Sequence, residues 1–324
     1  MKKILILLAL TLLFGGCDDT TQSTQNNSNN ANNINNINNN NPCGDVGGAP
    51  YNYAISEIYM PVASTEGIGV DLDGDDFIDN KLANLIQSLL SISPDFDMNG
   101  PLADSLAKGT TAILMRMWVD TFTTPGDGNV SCTIYEGSYT GSTPETMFDG
   151  SDHFAIDPSG TNTPTLCGRL YGAGVTELGP GTVTVNIPIS ETDSISLDLV
   201  HAQIKGISSA TSLSDFVIAG AVDPAKLRDE ILPAFVDDIN NAITDDPEGS
   251  QDILNSFDNN CSAEIPGCES LTDCVADGII SLKELQCNET VNIILTPDVT
   301  LDGHDYVSLG VRIQGVSAII DNID

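Results

Sequence analysis

Four stretches of this chain show partial alternation of apolar and polar residues with a period near two, a pattern that predicts strands. They are TAILMRMWVDTFT (111–123), VSCTIYEGSYT (130–140), GTVTVNIPI (181–189) and ISLDLVHAQIKGI (195–207). β-Branched side chains crowd these runs, and the turn sequences PGDG, GPG and SETD bound them. A fifth run, YVSLGVRIQGVSAII (306–320), has the same character and is expected to rejoin the same sheet. Helical spacing appears twice. Leu82, Leu85, Ile86, Leu89 and Leu90 follow Asn80 as an N-cap, and Leu227, Ile231, Phe235 and Ile239 follow Asp223 and Pro224, with Pro233 expected to kink the second helix. The pattern predicts a mainly β chain with a few short helices (α+β), built on a β-sandwich or jelly-roll-like core. A β-rich domain is expected over 43–260, followed by a disulfide-bearing, calcium-loop segment over 261–324 that ends in a strand.

The chain opens MKKILILLALTLLFGGCDD, where two lysines precede an apolar run from Ile4 to Phe14 and small residues lead into Cys17. The run is shorter than the roughly 20 apolar residues a permanent membrane span needs, so it reads as a signal peptide over 1–16. The sequence FGGC resembles the lipobox of bacterial lipoproteins, which implies cleavage before Cys17 and lipidation of its sulfur. Residues 17–42 then read as a lipidated, Asn-rich tether, since 12 of the 16 residues from Asn26 to Asn41 are asparagine. Such a tract has too little apolar surface to offset the entropy of ordering. The expected location is the bacterial cell envelope, lipid-anchored at the outer membrane or cell surface.

Loss of residues 1–16 removes Lys2 and Lys3 and no acid, so the formal net charge of −35 becomes −37. That balance excludes nucleic acid and an anionic membrane surface as partners, because both require clustered cations. Contact with the membrane is expected through the N-terminal lipid only, and any further partner would be a protein or a glycan.

Seven cysteines remain beyond Cys17, and in an exported chain they read as disulfides. Cys132 and Cys167 are expected to pair, Cys261, Cys268, Cys274 and Cys287 to form two bridges in one of three pairings, and Cys43 to be left over. A zinc site from the C-terminal four is the rival arrangement.

Three acidic stretches carry the spacing of calcium loops, which need six to eight hard oxygens from alternating positions, a backbone carbonyl at position 7 and a turn at position 6. DCVADGIISLKE (273–284) offers Asp273, Asp277, the Ile279 carbonyl, Ser281 and Glu284, with Val275 where a third acid is usual. DLDGDDFIDNKL (71–82) offers Asp71, Asp73, Asp75, the Phe77 carbonyl and Asp79, and is closer to the loops of dockerin and thrombospondin type 3 repeats. DVTLDGHDYVSL (298–309) offers Asp298, Thr300 and Asp302. A fourth stretch, DFDMNGPLAD (95–104), reads as a turn and helix start. Against the ion-binding reading stands the fact that Asp, Asn and Gly are also what ordinary turns are made of.

The lipobox, the polar tether, VDLDGDDFIDN leading into a Leu-rich helix, FVIAGAVDPAKL, and a tail running DGIISLKEL to LTPDVTLDGHDYVSLGVRI together resemble surface lipoproteins of deltaproteobacterial type. The resemblance implies a surface location and calcium loops, and it brings no reaction with it.

The chain has no GxSxG, HExxH, Walker A or GxGxxG sequence. Of its three histidines, His153 sits among Asp149 and Asp152, while His201 falls in a strand pattern. Trp118 has the chemistry to stack on a sugar ring but lies in a strand, where such residues are usually core. The expected function is a non-enzymatic, calcium-binding envelope lipoprotein. The alternative is a carbohydrate-binding protein or a glycan hydrolase with a pair of dispersed carboxylates.

Overall fold

The computed structural model describes residues 43, 46–81, 83–84, 87, 99–109, 112–122, 128–157, 165–188, 194–233, 236, 240, 243–244, 247–248, 251–270, 274–275 and 277–322. The signal segment, Cys17, the Asn-rich tract, Asp273, the leucine stripe of 82–90 and the residues Phe235 and Ile239 lie outside them.

The strands are β1 (Ala49–Tyr59), β2 (Ala112–Val119), β3 (Gly128–Tyr139), β4 (His153–Ile156), β5 (Thr165–Leu170), β6 (Val175–Pro188), β7 (Ser194–Ser208), β8 (Ser212–Val222), β9 (Val299–Leu301), β10 (His304–Ser317) and β11 (Ile319–Ile320). Eight of them pair in the closed order β1-β2-β3-β5-β6-β7-β8-β10 and back to β1, every neighbour antiparallel. This is an up-and-down meander closed into a barrel. β4 pairs with the far end of β3, β11 lies parallel to β4, and β9 forms a hairpin with β10. The mainly β expectation with short helices is met. The sheet closes on itself, a step that the sandwich or jelly-roll expectation did not contain.

Period-two alternation sends Tyr53, Met115, Met117, Leu166, Leu178, Ile204 and Phe216 into a continuous interior cluster. Their strand neighbours Asn52, Arg116, Glu177 and Lys205 point the other way. No helix among the described residues is long and apolar enough to cross a membrane.

Four short helices lie wholly within the described residues: α1 (Asn99–Ala107), α2 (Gln251–Asn259), α3 (Leu282–Cys287) and α4 (Glu289–Leu295). A helical turn at Pro224–Lys226 is capped by Asp223, whose carboxylate accepts from the Ala225 N–H at 2.8 Å. It widens into a π turn at Leu227–Ile231 just before Pro233, which has no N–H to donate to a carbonyl four residues back. Leu227, Leu254, Ile280, Leu285, Val291 and Leu295 join the barrel's own cluster, so the helical layer shares its core.

Strand direction sorts the connections between two ends of the barrel. The N-terminal segment and the β2–β3, β5–β6 and β7–β8 turns lie at one end. The long insertions β1–β2 and β8–β10, which carry all three acidic stretches, leave from the other.

The cysteine pairing corrects two expectations, a Cys132–Cys167 bridge and a Cys43 left over. Cys167 bonds Cys43, not Cys132, which is a free thiol in the interior. The reason is one residue of register: Cys167 faces Ser131 across β3–β5, while Cys132 faces Leu166. The two cysteines therefore project from opposite faces of the sheet and cannot meet. The C-terminal four are paired as Cys261–Cys274 and Cys268–Cys287.

Candidate metal centre

The stretch 71–79 folds as a tight loop closed by a bridge between Val70 and Asp79, with the Asp79 N–H donating to the Val70 carbonyl at 3.0 Å. Asp71 organises the turn. Its Oδ1 accepts from the Gly74 N–H at 2.6 Å and the Asp75 N–H at 3.2 Å, and its Oδ2 from the Asp76 N–H at 3.0 Å. Gly74 and Asp76 take φ of 83° and 70°, a left-handed conformation that aspartate tolerates better than most side chains. Asp76 thus makes the turn where an EF-hand loop uses glycine.

The consequence is that Asp71, Asp73 and Asp79 each offer a carboxylate oxygen within 4.8 Å of the others. Among the described residues this is the one such group of three. Asp79 is 9% exposed and accepts from the Leu72 N–H at 2.7 Å. Burial is the main force on its carboxyl, and the charges of Asp73, Asp298 and Asp75 add to it. Together they outweigh the Leu72 hydrogen bond and push the pKa up to about 6. Asp75 lies outside the trio and uses Oδ1 on the Phe77 N–H at 2.9 Å, and the Phe77 ring is exposed.

The loop is fastened to the barrel on both sides. Val70 and Leu72 pack with Ala219, Ala221, Val299 and Leu301 against the outside of β8 and β9. Asn80 lies against β10 like one more strand residue. Its Nδ2 donates to the carbonyls of Gly310 at 2.8 Å and Ile68 at 2.6 Å, and its Oδ1 accepts from the Gly310 N–H at 3.2 Å and the Ala83 N–H at 3.2 Å. A Cβ at Gly310 would meet Asn80 Nδ2 at 2.9 Å and Gly69 Cα at 3.1 Å, so the position has no room for a side chain. Gly310→Ala is expected to cost about 1–3 kcal/mol by overpacking and loss of the Asn80 bridge. Urea unfolding measures it, and an unchanged midpoint would remove Asn80 as the fastener.

The second stretch keeps part of the expected set, with Asp273 outside the described residues. Glu284 is 1% exposed; its Oε2 accepts from the Ser281 N–H at 2.6 Å and its Oε1 from the Val275 N–H at 3.3 Å. Ser281 Oγ in return accepts from the Glu284 N–H at 3.1 Å, which makes the pair a capping box for α3. Asp277 Oδ1 accepts from the Ile279 N–H at 3.1 Å. Sequence reasoning missed Asp258 on α2. Its carboxyl is pushed above the ordinary range by burial first and then by the charges of Glu284 and Asp277, and its Oδ1 is buried without a hydrogen bond. Nothing in a linear pattern links a helix residue to a loop fifteen or more positions onward.

The third stretch is a hairpin. Asp302 and Gly303, with φ of 52° and 80°, form the two-residue turn between β9 and β10 that Asp-Gly favours. Its three expected ligands go to separate partners. Asp298 accepts from the Ser308 N–H at 2.8 Å and from the Ser308 hydroxyl, Thr300 Oγ1 donates to Asp305 Oδ1 at 2.7 Å, and Asp302 Oδ2 lies 3.0 Å from His201 Nε2. Asp298 still reaches the first loop through its charge on Asp79.

His153 pairs with Asp321 at 2.7 Å, not with Asp149 or Asp152; Asp149 accepts from Ser151, and Asp152 from the Met147 and Phe148 N–H groups. The Arg116 guanidinium lies 5.3 Å from the Trp118 ring centroid. Carboxylates, turn carbonyls and solvent are the donors that hard divalent cations take, and Asp71, Asp73 and Asp79 are of the first kind. No protein family, curated protein or solved structure matches the chain.

Proposed function

We propose that the chain is a non-enzymatic, calcium-binding lipoprotein of the bacterial cell envelope, anchored through Cys17. In this reading it holds its acidic loops at the barrel end away from the tether, as a binding or structural surface. The observation that supports it most is the convergence of Asp71, Asp73 and Asp79, with one of the three carboxyls buried and short of compensating charge. A divalent cation among them would cancel that repulsion. The topology adds that the tether would enter at the end opposite the insertions that carry the loops.

Calcium then acts on stability, not on a reaction. At roughly 1 mM calcium and a Kd of about 0.1–1 mM, each site adds about 0.4–1.4 kcal/mol. Calorimetry of the EGTA-treated protein should show saturable calcium binding, and the melting temperature should rise with calcium. No heat of binding up to ~10 mM calcium, about ten times the weakest expected Kd, together with an unmoved melting curve, would reduce the 71–79 stretch to an acidic turn.

A further inference from the structure

We propose that the Cys43–Cys167 disulfide is a redox-sensitive clasp that ties β5, beside the barrel seam with the fewest ladder pairs, to the segment ahead of β1, and that its reduction lets β5 part from β6 and opens the wall there. β5 has six residues and is the shortest of the eight barrel strands. It meets β6 over three residue pairs, Gly168 with Leu178, Arg169 with Glu177 and Leu170 with Thr176. The other seven seams have six pairs or more. The seam stops for a chemical reason. β6 continues into Gly179 and Pro180, and proline has no N–H to extend the ladder. The close approach at Gly168, where a Cβ would lie 1.9 Å from the Glu177 carbonyl oxygen, leaves no side chain there to strengthen the contact.

On its other side β5 pairs with β3 over six residues, with Thr133 and Thr165 hydroxyls 2.8 Å apart. Leu166 and Leu170 point inward, and Cys167, between them, carries on the outer face the covalent link to Cys43, six residues ahead of β1. Both sulfur-bearing residues are half-buried, whereas Cys268 and Cys287 are buried, so a dithiol in solution reaches this bridge more readily than that one. The exchange is a two-electron, two-proton step. A dithiol attacks one sulfur, the S–S bond breaks, Cys43 and Cys167 leave as thiols, and the reductant leaves as its own disulfide. β5 then keeps its six pairs to β3, its three pairs to β6 and the inward Leu166 and Leu170.

The chain contains its own reporter. Cys132 is fully buried on the interior face of β3, directly opposite Leu166, and is reached only if the wall moves. The test compares the native protein with Cys43→Ser/Cys167→Ser, which keeps the other two bridges and Cys132. Iodoacetamide labelling of Cys132 is followed by peptide mapping, and amide hydrogen exchange is followed segment by segment. Labelling of Cys132 and exchange over 165–178 should rise by about tenfold or more beyond any rise over β1, β2 and β10. A uniform rise across all strands, or Cys132 as protected as in the native protein, would overturn the clasp and leave the bridge a general staple. Should the variant fail to fold, a dithiothreitol pulse on the folded native protein gives the same reading. Loss of Cys43–Cys167 must then precede loss of protection in β10, and loss of both together overturns it.

Discussion

Replacing all four C-terminal cysteines by serine should destabilise the chain by about 3 kcal/mol for each bridge lost, the largest effect expected of any change outside the barrel. The bridges Cys261–Cys274 and Cys268–Cys287 close loops with separations of 13 and 19 residues, and the chain-entropy cost of such loops in the unfolded state sets that scale. The native state loses as well. The small cluster beneath this segment consists of Ile265, Cys268 and Cys287 with Cys261 and Cys274 against it, so sulfur makes up most of its apolar content. Serine hydroxyls there are buried without assigned partners. The segment 261–288 should become sensitive to protease while the barrel keeps its near-ultraviolet signal, and the urea midpoint should fall. Resistance of that segment to cleavage in the variant would show that α3 and α4, docked through Leu285, Val291 and Leu295, hold it without the bridges.

Local order was legible in the chain where the signal itself is local. Alternation within ten residues marked β2, β3, β6, β7 and β10. β1, APYNYAISEIY, escaped because a bulge between Ile55 and Glu57 breaks its period, and β5 because six residues containing a glycine and an arginine carry little pattern. Barrel closure depends on β1 meeting β10 and β3 meeting β5, and a period of two says only that a face is buried, not which strand lies beside it. The cysteine misassignment has the same origin. Cys132 and Cys167 are on neighbouring strands, and a one-residue difference in register decides between a bridge and two opposed faces.

The acidic stretches sort by the same criterion. Asp71, Asp73 and Asp79 lie within nine residues, so one turn brings them together. Asp298, Thr300 and Asp302 have comparable spacing, but each is taken by a residue elsewhere on the barrel wall: Asp298 by Ser308 and Thr300 by Asp305 on the hairpin partner, and Asp302, in the turn, by His201 on β7. An Asp-Gly pair occurs in all three stretches, as Asp73-Gly74, Asp277-Gly278 and Asp302-Gly303, so that pair alone does not tell a hairpin from an ion loop.

Asp79 supplies the sharpest test of the metal reading, because its substitution should act in opposite directions with and without calcium. Its folded-state pKa of about 6 is above the ordinary aspartate value, so the native state binds its proton more tightly than the unfolded chain does. For a raised acid the sign is a cost: the ionised group opposes folding above about pH 6, and that cost fades as pH falls toward 4. The shift corresponds to about 2–3 kcal/mol at neutral pH. Asp79→Asn keeps an oxygen to accept from the Leu72 N–H and removes the charge that Asp73, Asp75 and Asp298 oppose. In EGTA at pH 7.5 the variant should therefore be more stable than the native protein by up to that amount, and the difference should vanish near pH 4. With ~10 mM calcium, above the Kd range of extracellular sites, the native protein gains and the variant does not, so the gap narrows or reverses. Urea unfolding in the two buffers separates the outcomes. A variant weaker than the native protein in EGTA would mean that the Asp79 carboxylate serves as a hydrogen-bond acceptor for Leu72 and bears no unbalanced charge, and the strongest physical reason for a cation at this loop would be gone.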